Sequence, residues 1–289
     1  MAVAFAYRSK ATPLIEPRYP IMLTLAHAAA ALALLVPLGP AREATTPIPD
    51  TAEASAQPDA AELPTAESLF EAHIAATGGM AAHQGHKNRV FDGIYRMLEE
   101  NETQIIRVFM EAPNKFRAEI EAPGMGTTIR GFNGEVAWGL NLSGKPFLLQ
   151  ENRERAQIMD NAVFLGEAGY KERYSSIRTE SLAKIDGRDA YRVVFKTPTG
   201  IEGAVYFDVE SKLLVAREVA AENNPSLITT VTVGNYREFD GVLMPMLQRQ
   251  KLATQSKPAV EIEFRWVNID VDSLPSFDPP AGATYLSEG

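Results

Sequence analysis

Cysteine is absent from all 289 residues. That excludes disulfide bridges, thiolate metal sites and thiol nucleophiles together. Folding must then rest on apolar content, which is 45% of the chain, in one large domain or two small ones. Basic residues are outnumbered, 28 against 37, for a formal net charge of −9. No run of Lys or Arg is present, so no nucleic-acid partner is expected, because such a partner needs a basic face to neutralise phosphates. Neither GxSxG nor HExxH occurs, and no histidine lies beyond His86. A serine hydrolase therefore has no nucleophile elbow with a later histidine, and a zinc hydrolase has no helical ligand pair.

His83 and His86 lie three residues apart, with His73 one helix earlier and Asp92 just beyond. A His/His/carboxylate metal site can be sketched from them, but Gly85 disrupts the helix that would hold the two histidines on one face. The spaced glycines of GMGTTIRG, residues 124–131, lie in strand-like sequence with no following helix to offer its N-terminus to a phosphate. No catalytic residue, metal or cofactor is expected from these features.

What the sequence does contain starts with a targeting signal. Arg8, Lys10 and Arg18 precede an uncharged apolar run over 21–39 that ends in small residues. Residues 1–41 therefore read as a signal peptide or an N-terminal anchor, starting at Met1 or Met22. Their removal takes the charge from −9 to −11. Residues 42–64 are acidic, rich in Pro and Ala and nearly free of large apolar groups, the composition of a disordered linker. A folded domain is expected over 65–289, with localisation in the periplasm, or at the inner membrane if 21–39 stay uncleaved.

Thr65 can cap a helix in which Leu69, Phe70, His73, Ile74 and Thr77 share one side before Gly78-Gly79 end it. A shorter helical piece follows from Met80 to His83. From about residue 88 to 269 the apolar period becomes two. Phe116, Ala118 and Ile120 alternate with charge, as do Val136, Trp138, Leu140 and Leu142, then Tyr191, Val193 and Phe195, then Val260, Ile262, Phe264 and Trp266. Turn signals separate the runs at Asp92-Gly93, Pro123-Gly124, Asn133-Gly134, Ser143-Gly144, Asp186-Gly187, Thr199-Gly200 and Asp240-Gly241. The spacing predicts an antiparallel meander of about ten strands. One break, residues 151–169, carries Ile158, Met159, Ala162 and Val163 at helical spacing and predicts a second amphipathic helix.

Five phrases in order, AATGGMAAHQGHKNRV, APNKFRAEIEAPGMGTTIRGFNGEVAW, IDGRDAYRVVF, YFDVESKLLV and NYREFDGVLMP, cover residues from about 65 to 270. They resemble the recurring phrases of the outer-membrane lipoprotein-sorting family, within the superfamily of periplasmic lipoprotein carriers. The resemblance implies an α+β fold, mainly antiparallel: a strongly curved, unclosed β-barrel whose concave side is apolar and covered by helices. It also implies a non-catalytic carrier that shelters acyl chains of a lipid or a lipidated protein. A protein-interaction or envelope-stress-sensing module of the same fold, with an envelope protein as partner, is the alternative.

Under this reading the candidate lining consists of Phe116, Ile120, Trp138, Leu140, Val193, Phe195, Ile262, Phe264 and Trp266 on strands, with Ile158, Met159 and Val163 on the second helix. Two roles stay open for these residues, core packing beneath helices or contact with a guest. Two helices of about three turns cover only part of so broad a sheet, so an inner face larger than its cover is expected. The helix of 151–169 is then either a lid or a permanent cover. Arg153 and Arg155 at its start either meet an anionic headgroup or stay solvated.

Overall fold

The computed structural model describes residues 63–150, 153–221 and 224–285. The expected leader, and all of the expected linker up to residue 62, lie outside the described residues. No helix among the described residues is long and apolar enough to cross a membrane.

Thr65 caps α1 (Ala66–Ala76) by accepting from the Ser68 backbone N–H at 3.2 Å, and Leu69, Phe70, His73 and Ile74 are its buried side. α2 (Met80–Gly85) follows after Gly78-Gly79, both at positive φ. The chain then enters β1 (Asn88–Met97), β2 (Glu102–Glu111), β3 (Lys115–Ala122), β4 (Gly126–Phe132), β5 (Ala137–Leu140) and β6 (Pro146–Leu148). It leaves the sheet for α3 (Arg153–Asn161), a 3₁₀ turn (Gly166–Gly169) and α4 (Tyr170–Arg173). It returns as β7 (Ser176–Ile185), β8 (Arg188–Lys196), β9 (Glu202–Asp208), β10 (Leu214–Ala221), β11 (Asn224–Phe239), β12 (Val242–Leu252), β13 (Val260–Ile269) and β14 (Thr284–Tyr285).

All fourteen described strands form one sheet, in the order β14-β6-β5-β4-β3-β2-β1-β13-β12-β11-β10-β9-β8-β7. Neighbours pair antiparallel except β14 with β6. The pairing of β1 with β13 joins the two meanders into one surface, and the end strands β14 and β7 do not meet. The result is a curved, unclosed half-barrel. Fourteen strands rather than about ten are present partly because β6 and β14, with three and two residues, are too short to leave an alternating pattern.

Alternation decides which side chains face the helices. The inner face of β1 to β4, β12 and β13 supplies one apolar cluster, containing Phe91, Tyr95, Val108, Phe116, Ile120, Met244, Ile262 and Phe264. The inner face of β8 to β11 supplies a second, in which Val193, Phe195, Phe207 and Val231 pack with Phe70 of α1 and Tyr170 and Tyr174 around α4. The outer face has its own small core. Val90 and Phe109 pack with Phe277, Val271 and Leu274 of the segment after β13.

Two expectations are corrected by backbone geometry. Asp92-Gly93 is not a turn, since β1 runs through it. A side chain at Gly93 would strike Glu263 O and lie 2.9 Å from Phe264 Cα, so the glycine serves a close approach to β13. Opposite it, Asp92 pairs with Trp266 and Gly93 with Phe264, leaving Arg265 as an extra residue. This β-bulge reverses the facing of everything after it, so Trp266 is on the outer face and 66% exposed, while Val267 packs against the inner cluster. A second bulge lies in the end strand β7, where Thr179 pairs with Val193 and Ser181 with Arg192, leaving Glu180 over.

Candidate functional site

The inner wall carries a plug. α3 and the residues after it lie against the first apolar cluster through Ile158, Ala162 and Phe164, all buried, with Met159 and Leu165 partly buried beside them. α3 ends at Asn161, so helical spacing no longer applies at Val163, which is half-buried; Phe164 takes the inward position instead. Phe164 N–H is tied to Pro113 O at 3.0 Å. The part of the wall beneath α3 is therefore covered in this structure. The space between α1, the 3₁₀ turn and strands β10 to β12 holds a void of ≈ 20 Å³, the size of one water molecule.

Most of the expected lining does share this wall. Phe116, Ile120, Ile262 and Phe264 line the part beneath α3, and Val193 and Phe195 the part beneath α1. Trp138 and Leu140 do not. Trp138 pairs with Gly131, and a side chain on Gly131 would collide with the Trp138 indole, 2.5 Å from its Nε1. Both lie on the outer face, where Trp138 donates its indole N–H to Phe277 O at 2.8 Å and takes the Arg117 guanidinium 5.6 Å from its ring. Leu140, two residues on, shares that side. In this short strand Ala137 holds an inward position, opposite Phe132 of β4.

Charges hold the plug in place. Arg130 of β4 donates Nε–H to Glu154 of α3 at 2.9 Å. Arg217 of β10 donates to Asp160 of α3 at 2.8 Å, and Arg173 of α4 forks onto the same carboxylate at 3.0 Å while reaching Glu167 at 3.0 Å. Arg153 of α3 donates to Ala220 O. α3 thus straps the half-barrel from β4 on one side to β10 on the other. The wall arginines Arg89, Arg130 and Arg217 are buried, each with its guanidinium over an aromatic ring: Phe164, Phe147 and Phe195, at 4.5, 5.1 and 4.7 Å. Burial lowers the Arg89 pKa to about 10, with Asp270 opposing the shift, so it remains a cation at neutral pH.

Alternation alone points at apolar residues and passes over these arginines. A signal for them does exist in the sequence, because Arg89-x-Phe91, Arg130-x-Phe132 and Arg217-x-Val219 each place an arginine in phase with the inward apolar residues.

The histidines do not converge. His83 Nε2 lies 2.9 Å from Thr77 Oγ1, His86 Nε2 3.1 Å from Asp240 O, and His73 Nδ1 3.2 Å from Lys212 O. Among the described residues no group of three His, Asp or Glu side chains is placed to hold a metal ion. Burial, then the neighbouring Arg89, His73 and His86, pushes the His83 pKa down to about 4, and burial also lowers His73. His83 and His73 are therefore neutral imidazoles at neutral pH.

With this geometry in place, solved structures supply a comparison. A LolA superfamily protein from Nitrosomonas europaea superposes with a TM-score of 0.52 at 13% identity, over 74% of this chain and 96% of the other. The chain has the LolA-like fold. A DUF1329 family protein from Desulfovibrio piger also superposes with a TM-score of 0.52, at 8% identity, over 72% of this chain and 94% of that one. No family model and no curated protein matches the sequence. Within the LolA-like fold of this chain, the inner wall beneath α3 is apolar and broad, and buried arginines cross it.

Proposed function

We propose that the chain is an exported, non-enzymatic carrier or receptor of the cell envelope that takes up acyl chains of a lipid or lipidated protein between α3 and the inner wall. The observation that carries this reading is a mismatch between wall and cover. The wall beneath α3 is apolar over six strands, whereas α3, RERAQIMDN, has only Ala156, Ile158 and Met159 as apolar residues and buries Glu154 and Asp160. Burying Ile158 and Phe164 contributes roughly 1.5–3 kcal/mol each. An acyl chain of about ten methylenes gains about 8 kcal/mol at 0.8 kcal/mol per CH₂, before ordering costs. An acyl guest is thus a competitive occupant of the apolar wall. Gly166, with φ 54° just after Phe164 and Leu165, is the natural pivot.

The test is saturable uptake of a fluorescent fatty acid by the wild type and by Phe164→Ala, with mass spectrometry of solvent extracts. Uptake that tightens in the variant supports the reading. If neither protein takes up the probe and no lipid is extracted, the reading fails. N-terminal sequencing of protein recovered from the periplasm tests export and cleavage near residue 41.

A second reading, a protein-docking module, has one observation in its favour. A groove of ≈ 710 Å³ runs along the sheet end, lined by Arg178, Arg192, Val194, Ala204, Glu218 and Ile228. Recovery of one stoichiometric protein partner, lost on changing Val194 to Glu, would favour it over the carrier.

A further inference from the structure

The plug sets two carboxylates against two arginines of the wall. Glu154 and Asp160 sit on α3, and their partners Arg130 and Arg217 sit on the wall. Arg89, the third wall arginine, is covered by the Phe164 ring and faces the ≈ 20 Å³ void together with Glu167. Arg89 Nε and Glu167 Oε2 have no hydrogen-bond partner. Any guest that lifts α3 removes the carboxylates from Arg130 and Arg217 and the ring from Arg89 in one movement. Three guanidiniums then face an emptied apolar wall, and leaving a buried charge uncompensated is costly.

A neutral hydrocarbon replaces the apolar contacts of the plug but none of its charges. We infer that the guest is an anionic amphiphile, whose acyl part lies on the wall of β1 to β4 and whose carboxylate, phosphate or sulfate head takes the place against Arg130 that Glu154 holds in the closed form. The inference rests on the carrier reading and narrows it to a chemical class. Planar guanidiniums suit all three heads, which they bind through paired N–H donors, so the geometry selects the charge and leaves the anion open.

The experiment titrates the full chain with four probes of equal chain length below their micelle concentrations: dodecanoate, dodecyl phosphate, dodecyltrimethylammonium and dodecyl maltoside. Inorganic phosphate serves as the control without an alkyl chain. The expected result is that the two anionic probes bind roughly tenfold or more tighter than the neutral one, the scale of one retained charge-assisted contact, and that inorganic phosphate alone does not bind. Glu154→Gln, which removes one carboxylate of the plug while keeping its shape, is expected to tighten all amphiphilic probes several-fold and to keep the anionic preference. Arg130→Gln, which removes the partner of the head, is expected to diminish that preference. Because Arg130 and Glu154 are partners, thermal melts are run on each variant, and the Glu154→Gln arm carries the test if Arg130→Gln fails to fold.

Equal affinity for anionic and neutral probes overturns the head-group assignment and leaves the carrier reading standing. Binding of inorganic phosphate as tightly as dodecyl phosphate overturns the amphiphile in favour of a free anion. Absence of binding by every probe overturns both.

Discussion

The indole N–H of Trp138 is bonded to the carbonyl of Phe277 at 2.8 Å, which ties the stretch after the last long strand to the outer face of β5. Trp138 is therefore a structural anchor on the side away from the helices. Changing Trp138 to Ala removes a fully buried aromatic and that bond, and is expected to cost about 3–5 kcal/mol in urea unfolding followed by circular dichroism. Trp266→Ala, at the exposed position after the bulge, is expected to stay within about 0.5 kcal/mol of wild type.

Gly93 lies where β1 and β13 come too close for a side chain. Gly93→Ala forces the bulge open and is expected to destabilise by about 1–3 kcal/mol, as overpacking does. Gly124→Ala, in a hairpin tip with nothing near its Cα, is the control: its cost comes from positive φ alone and is expected near 1 kcal/mol. Equal losses at the two positions in thermal melts would contradict this account of Gly93.

Asp160 accepts from Arg173 and Arg217 at once, all three side chains being buried, while Glu167 supplies a second carboxylate to Arg173. Asp160→Ala leaves two guanidiniums facing each other out of water, and a loss of about 3–5 kcal/mol is expected. Asp160→Asn, which keeps a hydrogen-bond acceptor, is expected to lose less. Urea titrations of both variants check the order.

His83 and His73 are held neutral by burial, His83 with a pKa near 4 against an ordinary value of 6.5. Below pH 6.5 the unfolded chain takes up protons that the folded one resists, so stability is complete above 6.5 and declines as pH falls toward 4. Unfolding midpoints at pH 7.5, 6 and 5 should fall in that order. His83→Gln should flatten the decline, and an unchanged slope in that variant would place the effect elsewhere.

Much of the fold was legible because period and turn chemistry are local. The cap at Thr65, the buried side of α1 and the hairpin turns at Asn133-Gly134, Asp186-Gly187 and Asp240-Gly241 are where the residues placed them. Trp266 and Trp138 were misplaced for two different non-local reasons. A bulge adds one residue without any compositional mark and inverts the face downstream. In a four-residue strand both faces are buried, so alternation there cannot tell inside from outside. The wall arginines escaped because apolar patterning assigns charge to solvent, and only the pairing of β4 and β10 with α3 explains why they are tolerated inside.

The extra residue Glu180 in β7 bears on how the molecule behaves in crowded company. A sheet that does not close leaves a ten-residue terminal strand whose spare amides and carbonyls invite a stranger's strand to stack on, the first step toward fibrils. The misfit at Glu180 interrupts that row, and its carboxylate, held by Arg178 and Arg192, puts a charge at the break. The half-barrel can thus stay unclosed without recruiting its own kind.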